Sequence, residues 1–341
     1  MRYNLLGHTG LYVSELALGT MNYGGEGYFA HMGALGQDAV NAQIRQAVDS
    51  GINLIDTADI YSNGLSEQLV GKAIRQLGLP RHELLIATKA FARMGLGVNQ
   101  LGLSRHHLTN AVDASLERLQ LEHIDLFQVH GFDPLTPLEE TLGALDDLVR
   151  AGKIRYIGLC NYSAWQIMKA RAISSQRNWQ SFCSSQSYYS LAGRDAEREL
   201  LPLLTDQSMG LLVWSPLAGG LLSGKYKTGA DVTGRRSQSE FPPVDNERAQ
   251  RILNCLNAVA GELEATPAQV ALAWLLAQPA VTSVLIGARN EQQMQANLAA
   301  STLELNVDQL DRLNQASALP PEYPGWMHAF ASPDRLAPQL R

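Results

Sequence analysis

The chain repeats one pattern eight times, a short apolar run followed by an amphipathic helical stretch, and this repetition constrains the fold more than any other feature. In the first unit a strand over residues 15–20 leads through a glycine- and aromatic-rich loop, residues 21–36, into a helix that begins at Asp38. The later strands are predicted at residues 54–56, 84–89, 125–130, 155–160, 181–186, 210–215 and 283–286. Short apolar strands that alternate with helices are typical of a parallel α/β sheet covered on both faces.

Helical periodicity predicts the segments that follow the strands. The predicted helices cover residues 66–77, 105–119, 138–150, 164–174, 195–206, 247–263, 267–277, 291–298 and 308–317. Ahead of the first unit, two apolar runs at residues 2–6 and 11–14 are joined by GHTG, which predicts a β-hairpin. A glycine-rich insertion after the seventh strand extends to about Asp245.

Two closures of such a sheet compete, a barrel and an open doubly wound sheet that binds a dinucleotide at a glycine-rich turn. The G-x-G-x-x-G turn is absent, since the nearest match, GLGVNQ from Gly95, lacks the third glycine. A chain of 341 residues is long enough for one barrel with insertions. We therefore predict a (β/α)8 TIM barrel in one domain, residues 1–341, with a core at about residues 3–319 and a tail, residues 320–341, near the substrate site.

Charge and cysteine content argue against several functional classes. The formal net charge is -6 without a basic patch, so nucleic acid is not expected as a partner. Cys160, Cys183 and Cys255 are far apart and lack CxxC spacing, which argues against a disulfide framework and against a zinc site. The most membrane-like run, residues 270–288, is interrupted by a glutamine and a proline and fits a buried helix followed by a strand. With no secretory signal pattern, we predict a cytoplasmic protein without a membrane partner or a bound metal.

Polar residues terminate most of the predicted strands. In α/β barrels the active site lies at the C-terminal ends of the strands. Each such residue alone has a structural explanation, Lys89 as a solvated charge and His130 as a core histidine. Because six strand ends carry a polar residue at the same rim, we favour a shared site. It would contain Asp56, Lys89, His130, Asn161, Gln186 and the pair Trp214-Ser215, with Tyr61 five residues after Asp56.

An aspartate, a tyrosine, a lysine and a histidine at one rim predict proton chemistry. A free tyrosine has a pKa near 10, and a nearby ammonium from Lys89 would lower the pKa of Tyr61 by favouring the phenolate. Asp56 would hold that ammonium in place. His130 would orient a carbonyl oxygen while Tyr61 protonates it. Because no side chain supplies a hydride, this chemistry requires a cofactor.

Two segments in the second half of the chain suit a nicotinamide cofactor. The first, WSPLAGGLLSGK at residues 214–225, offers an aromatic face, small residues and a lysine, which suits nicotinamide stacking and a pyrophosphate, although a structural loop is the alternative. The second follows the last repeat strand, where barrels commonly bind phosphate. An arginine there suits the extra phosphate of NADP. This segment contains Gly287, Arg289, Gln293 and Asn297.

Several motifs in the same order resemble the aldo-keto reductase superfamily, over about residues 3–319. They are DTADIYSNGLSEQLVG, ATK, DLFQVH, GKIRYIGLCN, WSPLAGGLLSGKY and IGARNEQQMQANL. The likeness is strongest to the branch of aryl-alcohol dehydrogenase-like enzymes and potassium-channel β subunits. It implies a (β/α)8 fold and NADP(H)-dependent, zinc-independent interconversion of carbonyls and alcohols. It also implies that Tyr61 is the general acid/base, Lys89 and Asp56 lower its pKa, and His130 orients the substrate.

The same resemblance implies a set of cofactor contacts. Asn161 and Gln186 would hold the carboxamide, and Trp214 would stack on the nicotinamide. Thr20 and Met21 would flank the nicotinamide, and Arg235 or Arg236 would reach over the cofactor. The pyrophosphate would be lined by Ser215, Leu217, Gly219 and Lys225, and the adenosine end would be held by Arg289, Gln293 and Asn297. Two positions depart from the family pattern, Ser62 in place of glycine and Cys160 in place of serine, and Cys160 fits a buried structural cysteine better than a redox-sensitive thiol.

The resemblance implies a small carbonyl or alcohol as the substrate, and aromatic side chains on three loops predict a bulky or aromatic one, with plain packing as the alternative. The loops are residues 21–36, residues 91–103 and the tail after residue 319, and the candidate walls are Tyr23, Tyr28, Phe29, Phe91, Phe132, Tyr162 and Trp326. Two other functions stay open. One is a cofactor-binding regulatory or redox-sensing subunit with slow turnover, and the other is a Schiff-base aldolase that uses Lys89. No pattern in the sequence predicts an oligomeric state.

Overall fold

The protein folds as a closed barrel of eight parallel strands, which confirms the predicted (β/α)8 class. The computed structural model describes residues 1–225, 236 and 240–332. Each barrel strand pairs with the next one along the chain, and the last strand closes the barrel against the first. The barrel strands are β3 (Leu16–Gly19), β4 (Leu54–Asp56), β5 (Leu85–Ala90), β6 (Ile124–Val129), β7 (Ile154–Cys160), β8 (Ser184–Tyr188), β9 (Gly210–Trp214) and β10 (Ser283–Ile286).

Helices surround the barrel, and most of them bury one face against it. In the first of them Val40, Ile44 and Ala47 are buried, and this spacing of three and four residues is that of an amphipathic helix. The α-helices in the described residues are α1 (Gln37–Asp49), α2 (Leu65–Gln76), α3 (Arg105–Leu119), α4 (Leu138–Arg150), α5 (Ala164–Arg177), α6 (Leu200–Asp206), α7 (Asn246–Glu262), α8 (Pro267–Leu276), α9 (Glu291–Ala299), α10 (Val307–Ser317) and α11 (Gly325–Ala331).

An N-terminal hairpin seals one end of the barrel. Its strands, β1 (Tyr3–Leu5) and β2 (Tyr12–Ser14), pair antiparallel as the sequence predicts. Leu6 and Val13 lie in one apolar cluster with the starts of the barrel strands, among them Ala17, Leu54, Ala87 and Leu126. Because the hairpin closes the N-terminal end, the opposite end, where the strands terminate, is the open one.

Several predicted elements have different bounds in the structure, and for two of them the physical reason is clear. The predicted helix over residues 195–206 is divided into a short turn, Asp195–Glu197, and α6. Pro202 explains the division, because proline lacks an N–H and is tolerated only in the first turn of a helix. The sixth barrel strand runs from Ser184 to Tyr188, not over residues 181–186, because its pairing with β9 extends to Tyr188.

The apolar run at residues 270–288 is divided as predicted into the end of α8 and strand β10. Within the described residues, no helix combines the length and apolarity needed to cross a bilayer. The described part of the tail is anchored by Arg198, which forms an ion pair with Glu322 at 3.0 Å and donates to the carbonyl of Pro320.

Candidate active site

A buried ion pair lies at the C-terminal ends of two adjacent strands. The Lys89 ammonium on β5 is 2.5 Å from Asp56 Oδ2 at the end of β4, and the two side chains are 0% and 1% exposed. Lys89 Nζ also donates to the carbonyl oxygen of Thr57 at 2.7 Å. Burial lowers the pKa of Lys89, but the contributions of Asp56, Tyr61 and Cys160 together outweigh burial, and the net pKa is raised. Lys89 is therefore a permanent cation beneath the barrel rim.

Tyr61 lies directly above this cation. Its hydroxyl is 3.5 Å from Lys89 Nζ, and the ammonium is 5.0 Å from the ring centroid. Burial raises the pKa of Tyr61, the Lys89 ammonium opposes this, and the Asp56 carboxylate adds to it. The sequence predicted a lowered pKa for Tyr61. The contribution of Lys89 has the predicted sign, but burial outweighs it, so Tyr61 is a neutral phenol that can donate a proton.

Ser62 fixes the turn that carries Tyr61. The turn Tyr61–Gly64 is strained, since Ser62 and Asn63 have positive φ values of 50° and 55°. The Ser62 hydroxyl donates to the carbonyl of Tyr23 at 2.7 Å and accepts from the amide of Gly25 at 3.0 Å. These bonds tie the loop after β3 to the turn and offset the cost of the unusual backbone.

His130 follows the last residue of β6, and its ring centroid is 5.9 Å from that of Tyr61. Burial, with a further contribution from the Lys89 ammonium, lowers the pKa of His130 to about 3. The imidazole is therefore neutral near pH 7, and one ring nitrogen can donate a hydrogen bond to a carbonyl oxygen.

The depressed pKa of His130 predicts a pH-dependent stability. An unfolded histidine titrates near pH 6.5, so between this pH and the folded pKa of about 3 the unfolded chain binds a proton that the folded chain excludes. Stability should therefore fall as the pH drops through this window. In His130→Gln the free energy of unfolding should fall less steeply between pH 7 and pH 4, by up to about 1.4 kcal/mol per pH unit. Urea unfolding across this range measures the slope. The exposed His82→Gln variant is the control, and identical slopes in both variants would contradict this assignment of the pKa.

Side-chain amides connect the acid cluster to the neighbouring strands. Gln128 on β6 and Gln186 on β8 both donate to Asp56 Oδ1 at 2.9 Å. Asn161, with a positive φ of 58°, donates to the carbonyl of His130 and accepts from the indole nitrogen of Trp214 at 3.0 Å. Gln128 was not predicted as a site residue. It lies on β6 two residues before His130, which directly follows that strand, and the alternation of extended backbone places both side chains on one face.

These residues open into one cavity of about 670 Å³. Its lining includes most of the predicted site: Thr20, Met21, Asp56, Tyr61, His130, Asn161, Gln186, Trp214, Ser215, Leu217, Gly219, Lys225, Gly287, Arg289, Gln293 and Asn297. Lys89 does not line the cavity but lies buried beneath it. Arg235 lies outside the described residues, and Arg236 donates to the carbonyls of Ala218 and Pro242.

The aromatic walls were predicted only in part. Tyr28 and Phe29 line the cavity, and the Phe29 ring packs edge-on against Tyr61 at 5.1 Å. Tyr23 does not, because its ring is fully buried in the core. Phe91, Phe132, Tyr162 and Trp326 are also outside the lining. Phe132 and Tyr162 contact each other edge-to-face, so the packing alternative holds for them. The sequence analysis missed Met32 and Phe241, and Phe241 stacks on Trp214 with a centroid distance of 5.7 Å.

The donor set of the cavity fits a phosphate-bearing nicotinamide cofactor. The backbone after β9 curves tightly, with Gly219 at φ +67° and so close to the carbonyl of Phe241 that a Cβ would lie at 2.6 Å. Helix α9 begins at the cavity, and the N-terminus of a helix favours an anion. Lys225 and Arg289 add positive charge to the lining. Among the described residues, no group of three or more His, Cys, Asp and Glu side chains could hold a metal ion.

A (β/α)8 barrel with a deep cavity at the C-terminal ends of its strands has the organisation of a barrel enzyme. Residues 15–318 match the Aldo/keto reductase family. The chain belongs to the aldo-keto reductase family, which confirms the predicted resemblance and makes it an oxidoreductase.

Individual relatives agree with this assignment. The chain is 37% identical to the uncharacterized oxidoreductase YrpG of Bacillus subtilis, over 92% of this chain and 95% of the relative. It is 32% identical to versiconal hemiacetal acetate reductase of Aspergillus parasiticus, over 95% of this chain and 99% of the relative. It is 38% identical to a putative voltage-gated potassium channel subunit beta of Schizosaccharomyces pombe, over 87% of each chain.

Proposed function

We propose that the protein reduces aldehydes or ketones to alcohols with NADPH, and that Tyr61 supplies the proton. One observation carries the proposal: a neutral Tyr61 lines the cavity while its hydroxyl lies 3.5 Å from the buried Lys89 ammonium. A neutral phenol can protonate a carbonyl oxygen, and an adjacent cation stabilises the phenolate that remains.

The residues around the cavity divide into those that would hold the cofactor and those that would act on the substrate. When bound, NADPH would supply the hydride. Asn161 and Gln186 offer amides to its carboxamide, and Trp214 offers an aromatic face. Ser215, Leu217, Gly219 and Lys225 would hold the pyrophosphate, with Thr20, Met21 and Gly287 beside the nicotinamide and Gln293 and Asn297 at the adenosine end.

The chain's own proton chemistry follows from the charges beneath the cavity. Tyr61 transfers its hydroxyl proton to the carbonyl oxygen, and Lys89 stabilises the resulting phenolate across the 3.5 Å contact. Asp56 holds the ammonium in position. The neutral imidazole of His130, next to Tyr61, donates a hydrogen bond that orients the same oxygen. The phenol regains its proton from solvent after the alcohol leaves.

The side chains packed against Tyr61 favour an aromatic or otherwise bulky apolar carbonyl. Phe29 contacts the Tyr61 ring, Tyr28 contacts Phe29, and Met32 lies on the same helical turn, Gly27–Met32. An apolar substrate ring would gain burial against these side chains. The three cysteines are free, which is consistent with the reducing conditions of the cytoplasm, where we place the protein.

Arg289 is the residue expected to distinguish NADPH from NADH. It lines the cavity, is exposed, and donates to the carbonyl of His31 at 3.3 Å. A charge-assisted bond to the 2′-phosphate contributes about 1.5 kcal/mol, so Arg289→Ala should raise the Kd of NADPH roughly tenfold. The Kd of NADH, measured in the same fluorescence titration, should not change. Arg75→Ala, at an exposed arginine of α2, is the control. An equal loss of affinity for both dinucleotides would show that Arg289 does not bind the 2′-phosphate.

The proposed function is tested by following NADPH absorbance with aromatic and aliphatic aldehydes and ketones, at enzyme concentrations below and above that of NADPH. The proposal expects oxidation of NADPH through many turnovers, with aromatic aldehydes among the better substrates. Binding of NADPH with at most one slow turnover across the panel would instead favour a regulatory subunit.

A further inference from the structure

Gln128 occupies the centre of the polar network beneath the cavity and has no part in the chemistry described so far. Its side chain is fully buried on β6. Its amide nitrogen donates to Asp56 Oδ1 at 2.9 Å, and its carbonyl oxygen accepts from Gln186 Nε2 at 3.3 Å. It is therefore linked on one side to the acid cluster and on the other to a residue that lines the cavity.

The adjacent strand leaves room for this side chain. Gly158 on β7 pairs directly with Gln128, and a Cβ at position 158 would lie 3.1 Å from Gln128 Cγ. Leu126 on β6 and His130 just after it flank Gln128 at two-residue spacing, on the same face. A polar side chain in the middle of a buried strand is costly unless its hydrogen bonds are satisfied, and here both ends of the amide are used.

We propose that Gln128 is a positioning residue for carbonyl reduction, which holds the Asp56 carboxylate and the Gln186 amide in their working orientations. The inference rests on the proposed function. Asp56 bonds Lys89 through Oδ2 and the two glutamines through Oδ1. With both oxygens engaged, the carboxylate is fixed in rotation, and Lys89 stays in place below Tyr61.

Gln186 is the second residue that Gln128 orients. Its amide nitrogen has two hydrogens, one directed to Asp56 and one to Gln128. The Gln186 carbonyl oxygen is therefore its free polar group within the described residues, on a side chain that lines the cavity. Gln128 and Asp56 together select the orientation in which Gln186 offers an acceptor to the carboxamide N–H of a nicotinamide. Without Gln128, the Gln186 amide is held by one hydrogen bond instead of two, and its contact with the carboxamide is weakened.

Two substitutions test this role. Gln128→Met keeps the length of the side chain but removes both hydrogen bonds, and a small misplacement of reacting groups should lower kcat by about 10- to 100-fold. NADPH affinity, followed by tryptophan fluorescence, should also fall because Gln186 loses one of the two hydrogen bonds that orient its amide. Gln128→Glu retains the acceptor for Gln186 and, once protonated, regains a donor for Asp56.

The pH profile of Gln128→Glu distinguishes positioning from mere packing. The introduced glutamate would face Asp56 on β4, Lys89 on β5, Cys160 on β7 and, across the cluster, Tyr61 and His130. Its ionised form repels Asp56, so kcat should be low at high pH. It should rise toward the wild-type value as the pH falls and the glutamate takes up a proton. Neither the wild type nor Gln128→Met should show that rise.

The matched control is Gln309→Met, at another buried glutamine, which caps α10 away from the cavity. It should lower thermal stability without changing kcat or its pH profile. If Gln128→Met keeps kcat and NADPH affinity as Gln309→Met does, or if Gln128→Glu shows no recovery at low pH, the inference is wrong. If Gln128→Met does not fold, the Gln128→Glu profile decides alone. Failure of the wild type to turn over would instead overturn the proposed function.

Discussion

Replacing Tyr61 with phenylalanine is expected to lower kcat for carbonyl reduction by about 10²- to 10⁴-fold, the range that one positioned acid contributes. The ring would stay in place against Phe29 and above Lys89, so the substitution removes only the hydroxyl. The Kd of NADPH should be unchanged, because the proposed cofactor contacts lie on other residues. Rapid-mixing absorbance measurements at saturating NADPH give kcat, and fluorescence titration gives Kd.

Tyr162→Phe is the matched control for this experiment. Tyr162 is also a buried tyrosine, but its hydroxyl has no hydrogen-bond partner among the described residues, and its ring is outside the cavity lining. Removing that hydroxyl should leave kcat and stability close to those of the wild type. If Tyr61→Phe retained a kcat similar to that of Tyr162→Phe, Tyr61 would not be the acid, whatever the fold.

Breaking the Asp56–Lys89 pair is expected to have the largest effect on stability. Either Lys89→Met or Asp56→Asn leaves one buried charge without its partner, which costs about 3–5 kcal/mol in the free energy of unfolding. Replacing both residues removes both charges, so the double variant should lose much less unfolding free energy than the two single variants lose together. Urea unfolding of the four proteins measures this double-mutant cycle.

An exposed pair provides the comparison. Lys153 and Asp113 are also 2.5 Å apart, but their side chains are 37% and 49% exposed. Lys153→Met should therefore cost no more than about 1 kcal/mol. The two pairs have the same separation, so we expect the difference in lost unfolding free energy to come from the desolvation of the buried pair. The charges of Asp56 and Lys89 would not be coupled in the folded protein if their losses of unfolding free energy were additive. The same conclusion would follow if Lys89→Met cost as little unfolding free energy as Lys153→Met.

The barrel could be predicted from the sequence because the hydrophobic pattern changes period at each strand and helix. Residues 54–56, 105–119 and 138–150 have the same bounds in the prediction and in the structure. The errors arose where another constraint decided the outcome. Pro202 divided one predicted helix, and pairing with β9 shifted the strand that carries Gln186.

The strand ends also predicted which side chains would meet, because parallel strands of one barrel terminate at one rim. Burial could not be predicted in the same way. Tyr61 has a raised pKa because the surrounding fold desolvates it, which outweighs the charge of Lys89. Gln128 was missed because one glutamine in an apolar run gives no signal until the barrel places it beside Asp56.

The loops were the least predictable part of the site. Tyr23 and Phe29 lie on the same loop after β3, yet one ring is buried in the core and the other lines the cavity. Their difference depends on the turn fixed by Ser62 and Gly25, a tertiary contact that neither residue encodes locally. Substrate preference is therefore best established by experiment on this loop.

In the proposed reaction a hydride passes from the nicotinamide to a carbonyl carbon in this cavity. The transfer can be followed with NADPH carrying deuterium at the transferable position of C4, an aromatic aldehyde, and mass spectrometry of the product. The expected product is an alcohol with one deuterium on the former carbonyl carbon, with no covalent adduct on the protein. An unlabelled alcohol, or an imine at Lys89 trapped by borohydride, would contradict it and favour a Schiff-base enzyme.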